Sequence, residues 1–247
     1  MQIDIAQMDV ELGEKRKNMH KALDIIAKST ADLILFPELF TTGLAFDHLS
    51  ELAETLDGET VQALSDACEN RMAAGSIIET DGKWLYNTFL LIDDTGIIGK
   101  YRKIHLFHDE KHHFAAGEKT CVVNTKFGKI GLATCYDVRF PELFRRMMED
   151  EADFILLCAN FPKIRRTHWE VLVKARAIEN QYYVVACNRV GRDLKQEYHG
   201  RSMAVDPLGN VLTVGEDREE VLRCTVDRKN VKEARSSFPV LKDIRLR

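Results

Sequence analysis

Two segments of this chain, ADLILF (Ala31 to Phe36) and ADFILLCANF (Ala152 to Phe161), begin with the same Ala-Asp pair and run on as unbroken apolar stretches. Each is the length of a strand, and neither alternates polar with apolar side chains. A strand that is apolar at every position has to be covered on both faces, which points to parallel strands between layers. Each run follows a helical pattern. The echo therefore predicts two similar halves packed against one another.

The intervening sequence fits that plan. QIDIAQM alternates as a strand, and Asn18 to Lys28 places Met19, Leu23, Ile26 and Ala27 at helical spacing. A helix is expected over Glu59 to Met72. Strands follow at Gly75 to Glu79, Leu85 to Asp93 and Ile97 to Tyr101, joined by Asp81-Gly82 and Asp94-Thr95-Gly96 turns. After a polar stretch from Phe107 to Thr120, CVVNTKFGKIGLATCYD reads as two strands about a turn near Lys126 to Lys129. Helices over Glu142 to Glu149 and His168 to Asn180 flank the second apolar run. Strands at Tyr182 to Val190, Arg201 to Asp206, Asn210 to Val214 and Glu220 to Val226 complete the pattern. No Pro/Gly/Ser-rich linker interrupts it, so residues 1–247 are expected to form a single α/β domain with layered sheets inside and helices outside.

Charge and composition narrow the function. Against 35 Lys and Arg stand 39 Asp and Glu, a formal charge of −4, which argues against a nucleic-acid partner held by bulk charge. With 45% hydrophobic residues and a mean hydropathy of −0.25 the chain can fill a large core, while its apolar runs are far short of the roughly 18 residues of a membrane helix. Acidic Asp4, Asp9 and Glu11 stand where a secretion signal would be basic and then apolar. The six cysteines are scattered without a CxxC pair. They read as reduced thiols, mostly buried, in a cytoplasmic protein without membrane association.

Three reactive side chains stand at strand or loop boundaries: Glu38 in FPELF, Lys103 in KYRKIHLF and Cys135 in GLATCYDVRFPEL. A thiolate is a strong nucleophile but a minor species at neutral pH, so it needs a base or a cation beside it. Glu38 can take the proton. Lys103 can hold both charges in place and stabilise the oxyanion formed when Cys135 attacks a carbonyl or nitrile carbon. Taken singly, each residue has an ordinary reading as a core thiol, a surface acid or a strand lysine. Cys158 and Cys187, inside apolar runs, are read as core thiols.

FPEL, YRKIHLF and TCYDVRFPEL, in that order, resemble the motifs of the carbon-nitrogen hydrolases of the nitrilase superfamily. DGKWLYNTFLLID, HWEVLVKARAIENQ, CNRVG and GRSMAVDPLGNV extend the resemblance from Gln7 to Gly209 and narrow it to the omega-amidase-like branch. That resemblance implies a four-layer α-β-β-α sandwich, a Glu38-Lys103-Cys135 triad and a second glutamate at Glu110, with Asp109 adjacent. It implies hydrolysis of the terminal amide of a short 2-oxo acid such as 2-oxoglutaramate through a thioester, with the oxyanion held by Lys103 and the Tyr136 amide. No metal or organic cofactor is implied. Members commonly pair, so a homodimer or higher homo-oligomer is expected, and the tail from Arg228 to Arg247, with its SSFPVLKDIR segment, resembles one that crosses to a partner.

An anionic substrate needs a fixed cation. Arg165 or Arg166, in FPKIRRTHW, is the expected anchor, with Phe46 or Phe161 as an apolar wall. Arg139 is expected to serve instead as a structural partner for an acid within its own motif. His105, His108, His112 and His113 form a suggestive cluster, read as a solvated loop rather than a metal site. An N-carbamoyl amino acid hydrolase or a nitrilase would share the triad, although CYD replaces the CWE expected of a nitrilase; a silent scaffold of the same fold would not need the triad intact.

Overall fold

A computed structural model describes residues 1–246. The first half comprises β1 (Gln2–Gln7), α1 (Lys15–Lys28), β2 (Leu33–Leu35), α2 (Leu49–Leu52), α3 (Glu59–Ala67), β3 (Met72–Thr80), β4 (Leu85–Asp93) and β5 (Gly96–Arg102). The short helix α4 (Glu110–His113) leads to β6 (Val122–Thr125), β7 (Gly128–Thr134), α5 (Pro141–Glu149), β8 (Phe154–Ala159), α6 (Arg166–Asn180) and β9 (Tyr183–Asn188). A hairpin of β10 (Val190–Arg192) and β11 (Glu197–His199) precedes β12 (Met203–Val205), β13 (Val211–Val214), β14 (Glu220–Thr225) and α7 (Arg228–Ser237).

The strands form two six-stranded sheets, ordered β14-β1-β2-β3-β4-β5 and β13-β12-β9-β8-β7-β6. In the first, β2 runs parallel to both β1 and β3; in the second, β8 runs parallel to both β7 and β9. The two echoing runs thus occupy the same place, the middle of three parallel strands. Their lack of alternation has the expected cause. Leu33 and Leu35 join Ile3, Ile5, Ile130 and Leu132 in the core that spans both sheets, while Ile34 and Phe36 pack against Ala22 and Ile26 of α1 and Leu64 of α3. On the far side, Phe144 and Met147 of α5 and Trp169 and Val173 of α6 cover the second sheet. The layers run helix, sheet, sheet, helix, the α-β-β-α order that the motifs imply.

The structure moves several boundaries. The helix expected to reach Met72 ends at Ala67, because Met72 to Ala74 pair in register with Leu33 to Leu35 and are drawn into β3. The strand expected through Val190 stops at Asn188. Arg189, fully buried, turns away to donate to Asp9 Oδ1 (2.9 Å) and the Val10 carbonyl (2.7 Å), which sends β10 and β11 off as a separate hairpin. The tail begins with α7, which packs on its own chain: Val231 and Ala234 are buried, and Arg235 donates to the carbonyls of Ala152 and Gln181.

Candidate active site

Three of the reactive residues stand just beyond the carboxyl end of a strand, and the fourth comes from the loop after β5. Glu38 follows β2, Lys103 follows β5, Cys135 follows β7, and Glu110 opens α4. The turns that aim them are unusual. Leu39 and Cys135 adopt φ of 45° and 47°, left-handed values that non-glycine residues seldom take and that cost on the order of 1–3 kcal/mol each. Each is pinned from several sides. The Leu39 amide donates to Ser76 Oγ (2.8 Å), and its carbonyl accepts from Thr42 and Gly43. Beyond Cys135, buried Asp137 accepts from the Thr134 amide (2.9 Å), the Tyr101 hydroxyl (2.7 Å) and the His105 amide (3.2 Å), and lies 2.7 Å from His105 Nδ1. The nucleophile's turn is thereby fastened to β5 and the segment after it.

Lys103 is 1% exposed, and its ammonium is held by two carboxylates, one N–H directed to each. Its Nζ donates to Glu38 Oε1 (2.7 Å) and to Glu110 Oε1 and Oε2 (2.9 and 2.8 Å). Glu38 also accepts from Asn87 Nδ2 (2.7 Å) and, at Oε2, from the Asn160 amide (2.9 Å). Glu110 accepts from the Phe107 amide. Asp109, by contrast, is exposed and pairs with Lys195 (3.5 Å), so it is Glu110 that joins the lysine.

These groups set one another's protonation. Burial alone would depress the Lys103 ammonium, but Glu110 and Glu38 outweigh it and raise its pKa well above the usual lysine range. Burial and the facing Glu38 carboxylate raise Glu110, against the pull of Lys103. Burial, with Glu38 and Glu110, pushes the Cys135 thiol well above its ordinary value, although Lys103 and the Asn160 amide oppose it. At neutral pH the site rests as a thiol beside a charged lysine and a carboxylate. The proton must therefore leave sulfur as the carbon–sulfur bond forms, and a carboxylate is in place to take it.

Cys135, Glu110 and Asn160 line a cavity of about 530 Å³. Phe46, Tyr136 and Phe161 supply apolar wall, as expected for the two phenylalanines. The Tyr136 ring is held between Phe107 and Phe140 (centroids 5.0 and 5.2 Å). Its amide lies in the first turn of a 3-10 segment, Cys135–Arg139, where donors have no acceptor within the helix.

The two arginines expected as anchors separate. Arg166 pairs with Glu170 (3.1 Å) and Asp217 (3.6 Å) and does not line the cavity. Arg165 does line it, lying over the Phe107 ring. Arg139, expected to pair with an acid of its own motif, has no carboxylate within 4 Å among the described residues. It lies over Phe161 and Tyr136 (5.3 and 5.9 Å to the ring centroids), 3.2 Å from His168 Nδ1, in the cavity wall. Asp137, the acid nearest to it in that motif, is taken up by the backbone and side chains that fasten the nucleophile's turn.

Asn160 was not singled out from the sequence. It is 6% exposed and lines the cavity, and neither Oδ1 nor Nδ2 has a hydrogen-bond partner. Its signal was positional, the residue after a buried parallel strand. The histidines are dispersed: His105 stacks on Phe140 and His113 on Phe46, and no group of three or more metal-ligating side chains is arranged around a common point among the described residues.

Comparison with known proteins agrees with this geometry. The carbon-nitrogen hydrolase family model matches residues 2–236. A 2-oxoglutaramate amidase of Bacillus subtilis is 36% identical over 252 residues, covering 98% of this chain and 97% of the relative. One of Paenarthrobacter nicotinovorans is 37% identical over 266 residues, covering 99% and 90%. Among solved structures, a CN-hydrolase superfamily protein of Xanthomonas campestris with an arsenic adduct in its active site superposes with a TM-score of 0.93 at 30% identity, covering 100% of this chain and 98% of the other. Fold, motifs and relatives agree, and the chain belongs to the carbon-nitrogen hydrolase family of enzymes, within the nitrilase superfamily.

Proposed function

We propose that the protein hydrolyses the terminal primary amide of a short 2-oxo acid, of the 2-oxoglutaramate type, through a thioester on Cys135. The observation that carries this reading is a buried Glu38-Lys103-Glu110 cluster beside Cys135, opening on a cavity whose wall holds an arginine without a carboxylate partner. The two amidase relatives bear that substrate in their names.

Cys135 Sγ attacks the amide carbon as Glu38 takes the thiol proton, and the carbonyl π pair moves onto oxygen. Lys103 and the Tyr136 amide stabilise that oxyanion. Asn160 offers a carboxamide complementary to the substrate's own –CONH2. Glu38 returns the proton to nitrogen, the carbon–nitrogen bond breaks, and ammonia leaves a thioester. Glu38 then draws a proton from water, hydroxide adds to the thioester carbon, and the carbon–sulfur bond breaks to release the acid and the thiol. Arg139 binds the distal carboxylate together with Arg165, one of the two arginines expected from the sequence, further along the wall.

Ammonia release from 2-oxoglutaramate, 2-oxosuccinamate, glutamine, N-carbamoyl amino acids and simple nitriles tests the reading. The 2-oxo amides are expected to turn over fastest. Preference for a carbamoyl compound or a nitrile would overturn it.

Two further readings accompany it. Val171 and Ile178, seven residues apart on α6, are exposed, as is Leu208 next to Gly209, which packs on Ile178, and these apolar side chains suit a second copy of the chain; light scattering is expected to report a dimer or larger. All six cysteines are free, which suits action in the reducing cytoplasm. No described helix is long and apolar enough to cross a membrane.

A further inference from the structure

Two carboxylates share one lysine at this site, yet the proposed reaction needs only one of them to move protons. Glu38 and Glu110 each accept from Lys103 Nζ, within a pocket almost closed to water. Like charges so placed compete for the one cation between them. Lys103 bonds to both and does not by itself fix which carboxylate serves the thiol.

Asn87, on β4, touches every member of the cluster. Its carbonyl accepts from the Lys103 amide (2.9 Å), and its Nδ2 donates to Glu38 Oε1 at 2.7 Å and to Glu110 Oε1 at 3.4 Å. The side chain is fully buried, and its Oδ1 has no hydrogen-bond partner. The orphaned oxygen costs the fold, and what the residue gives in return is its donor. A carboxamide N–H keeps its proton near neutral pH, so it holds the carboxylate oxygen it faces at the shorter distance in one place.

We propose that Asn87 is the positioning residue that divides the labour between the two glutamates, fixing Glu38 as the carboxylate that serves the thiol and leaving Glu110 to hold Lys103. The inference rests on the amidase reading only in taking Glu38 as the group that receives the thiol proton. The other ionisable groups that Glu38 faces, Lys103, Glu110, Cys135, Cys158 and Tyr198, remain in place when Asn87 is changed.

The test pairs Asn87→Leu with Asn87→Asp in the full-length enzyme, using the best amide from the substrate panel. For Asn87→Leu the expected result is a kcat reduced about a hundredfold with KM little changed and thermal stability modestly lower, since the buried carboxylates lose a donor. The ascending limb of kcat/KM should move up by roughly one to two pH units, the worth of one hydrogen bond to a charged group. Asn87→Asp sets a third carboxylate against Glu38 and should be nearly inactive at neutral pH, regaining part of its activity in acid as the new carboxyl takes up a proton and can donate again. An unshifted pH profile in both variants, with activity falling in step with stability, would overturn the inference. Wild-type turnover and labelling of Cys135 are read separately, so failure of the amidase reading is distinguishable.

Discussion

The two sheets place strands of the same kind at the same positions, but what stands beyond those strands differs. Past β2 and β5 the first sheet presents charge: Glu38 and Lys103, with Glu110 arriving from the loop after β5. Past β7 and β8 the second sheet presents a neutral nucleophile, Cys135, and the backbone amide of Asn160. The hydrogen bond from that amide to Glu38 joins the two sets across the sheets. A duplicated framework can therefore specialise its halves, one for moving protons and the other for forming the covalent bond. Neither half has a complete site alone.

The sharpest way to break this division is to remove its neutral member. Cys135→Ala is expected to lower turnover at least about ten-thousandfold while the thermal midpoint stays near wild type, since little volume is lost; intact-mass analysis of quenched reactions should find the acyl adduct on wild type and none on the variant. Removing a charged member should do more to the fold. Lys103→Met leaves two buried carboxylates without their cation, and a loss of about 3–5 kcal/mol by urea unfolding is expected, with kcat down more than about a hundredfold. If Lys103→Met were as stable as Cys135→Ala, the contrast between a charged half and a neutral half would fail.

Smaller effects are expected in the cavity wall. Arg139→Met should raise KM for 2-oxoglutaramate roughly ten- to a hundredfold, as for a lost charge-assisted hydrogen bond, while Arg166→Met, whose side chain is tied to Glu170 and Asp217, should leave KM nearly unchanged. The reverse ranking would return the anchor to Arg166. The smallest effect concerns stability in acid. His199 on β11 is fully buried with neither ring nitrogen bonded, and burial lowers its pKa to about 4. Because the unfolded chain takes up this proton first, the contribution is fully present above about pH 6.5 and falls as pH drops toward 4, by roughly 2 kcal/mol in all. Urea midpoints at pH 7 and pH 4.5 should converge more closely in His199→Leu than in wild type.

Much of this was legible in the sequence because it is local. Apolar runs without alternation announce strands covered on both faces, and β2 and β8 are such strands. Glu38, Lys103 and Cys135 were visible through flanking motifs, and the structure brings them into one cluster. What escaped depends on distant residues. Arg139 lies near Asp137 in sequence, and only the fold reveals that Asp137 is engaged by Tyr101, His105 and Thr134. Asn87 and Asn160 look like ordinary polar residues until the partners of each atom are counted. The end of β9 and the hairpin β10–β11 beyond it escape because the partners that turn Arg189 away, Asp9 and Val10, lie some 180 residues back in the chain.

The grip of two carboxylates on Lys103 has a consequence for timing. One N–H goes to Glu38 and one is shared by the two oxygens of Glu110, which leaves the third for an arriving substrate on an ammonium that cannot swing to meet it. A neutral carbonyl is a weak acceptor for that N–H. An oxyanion carries a full charge and is a strong one. On the proposed reaction the contact therefore strengthens as negative charge builds on the substrate oxygen, so that occupancy gives little of the stabilisation and bond formation gives most of it.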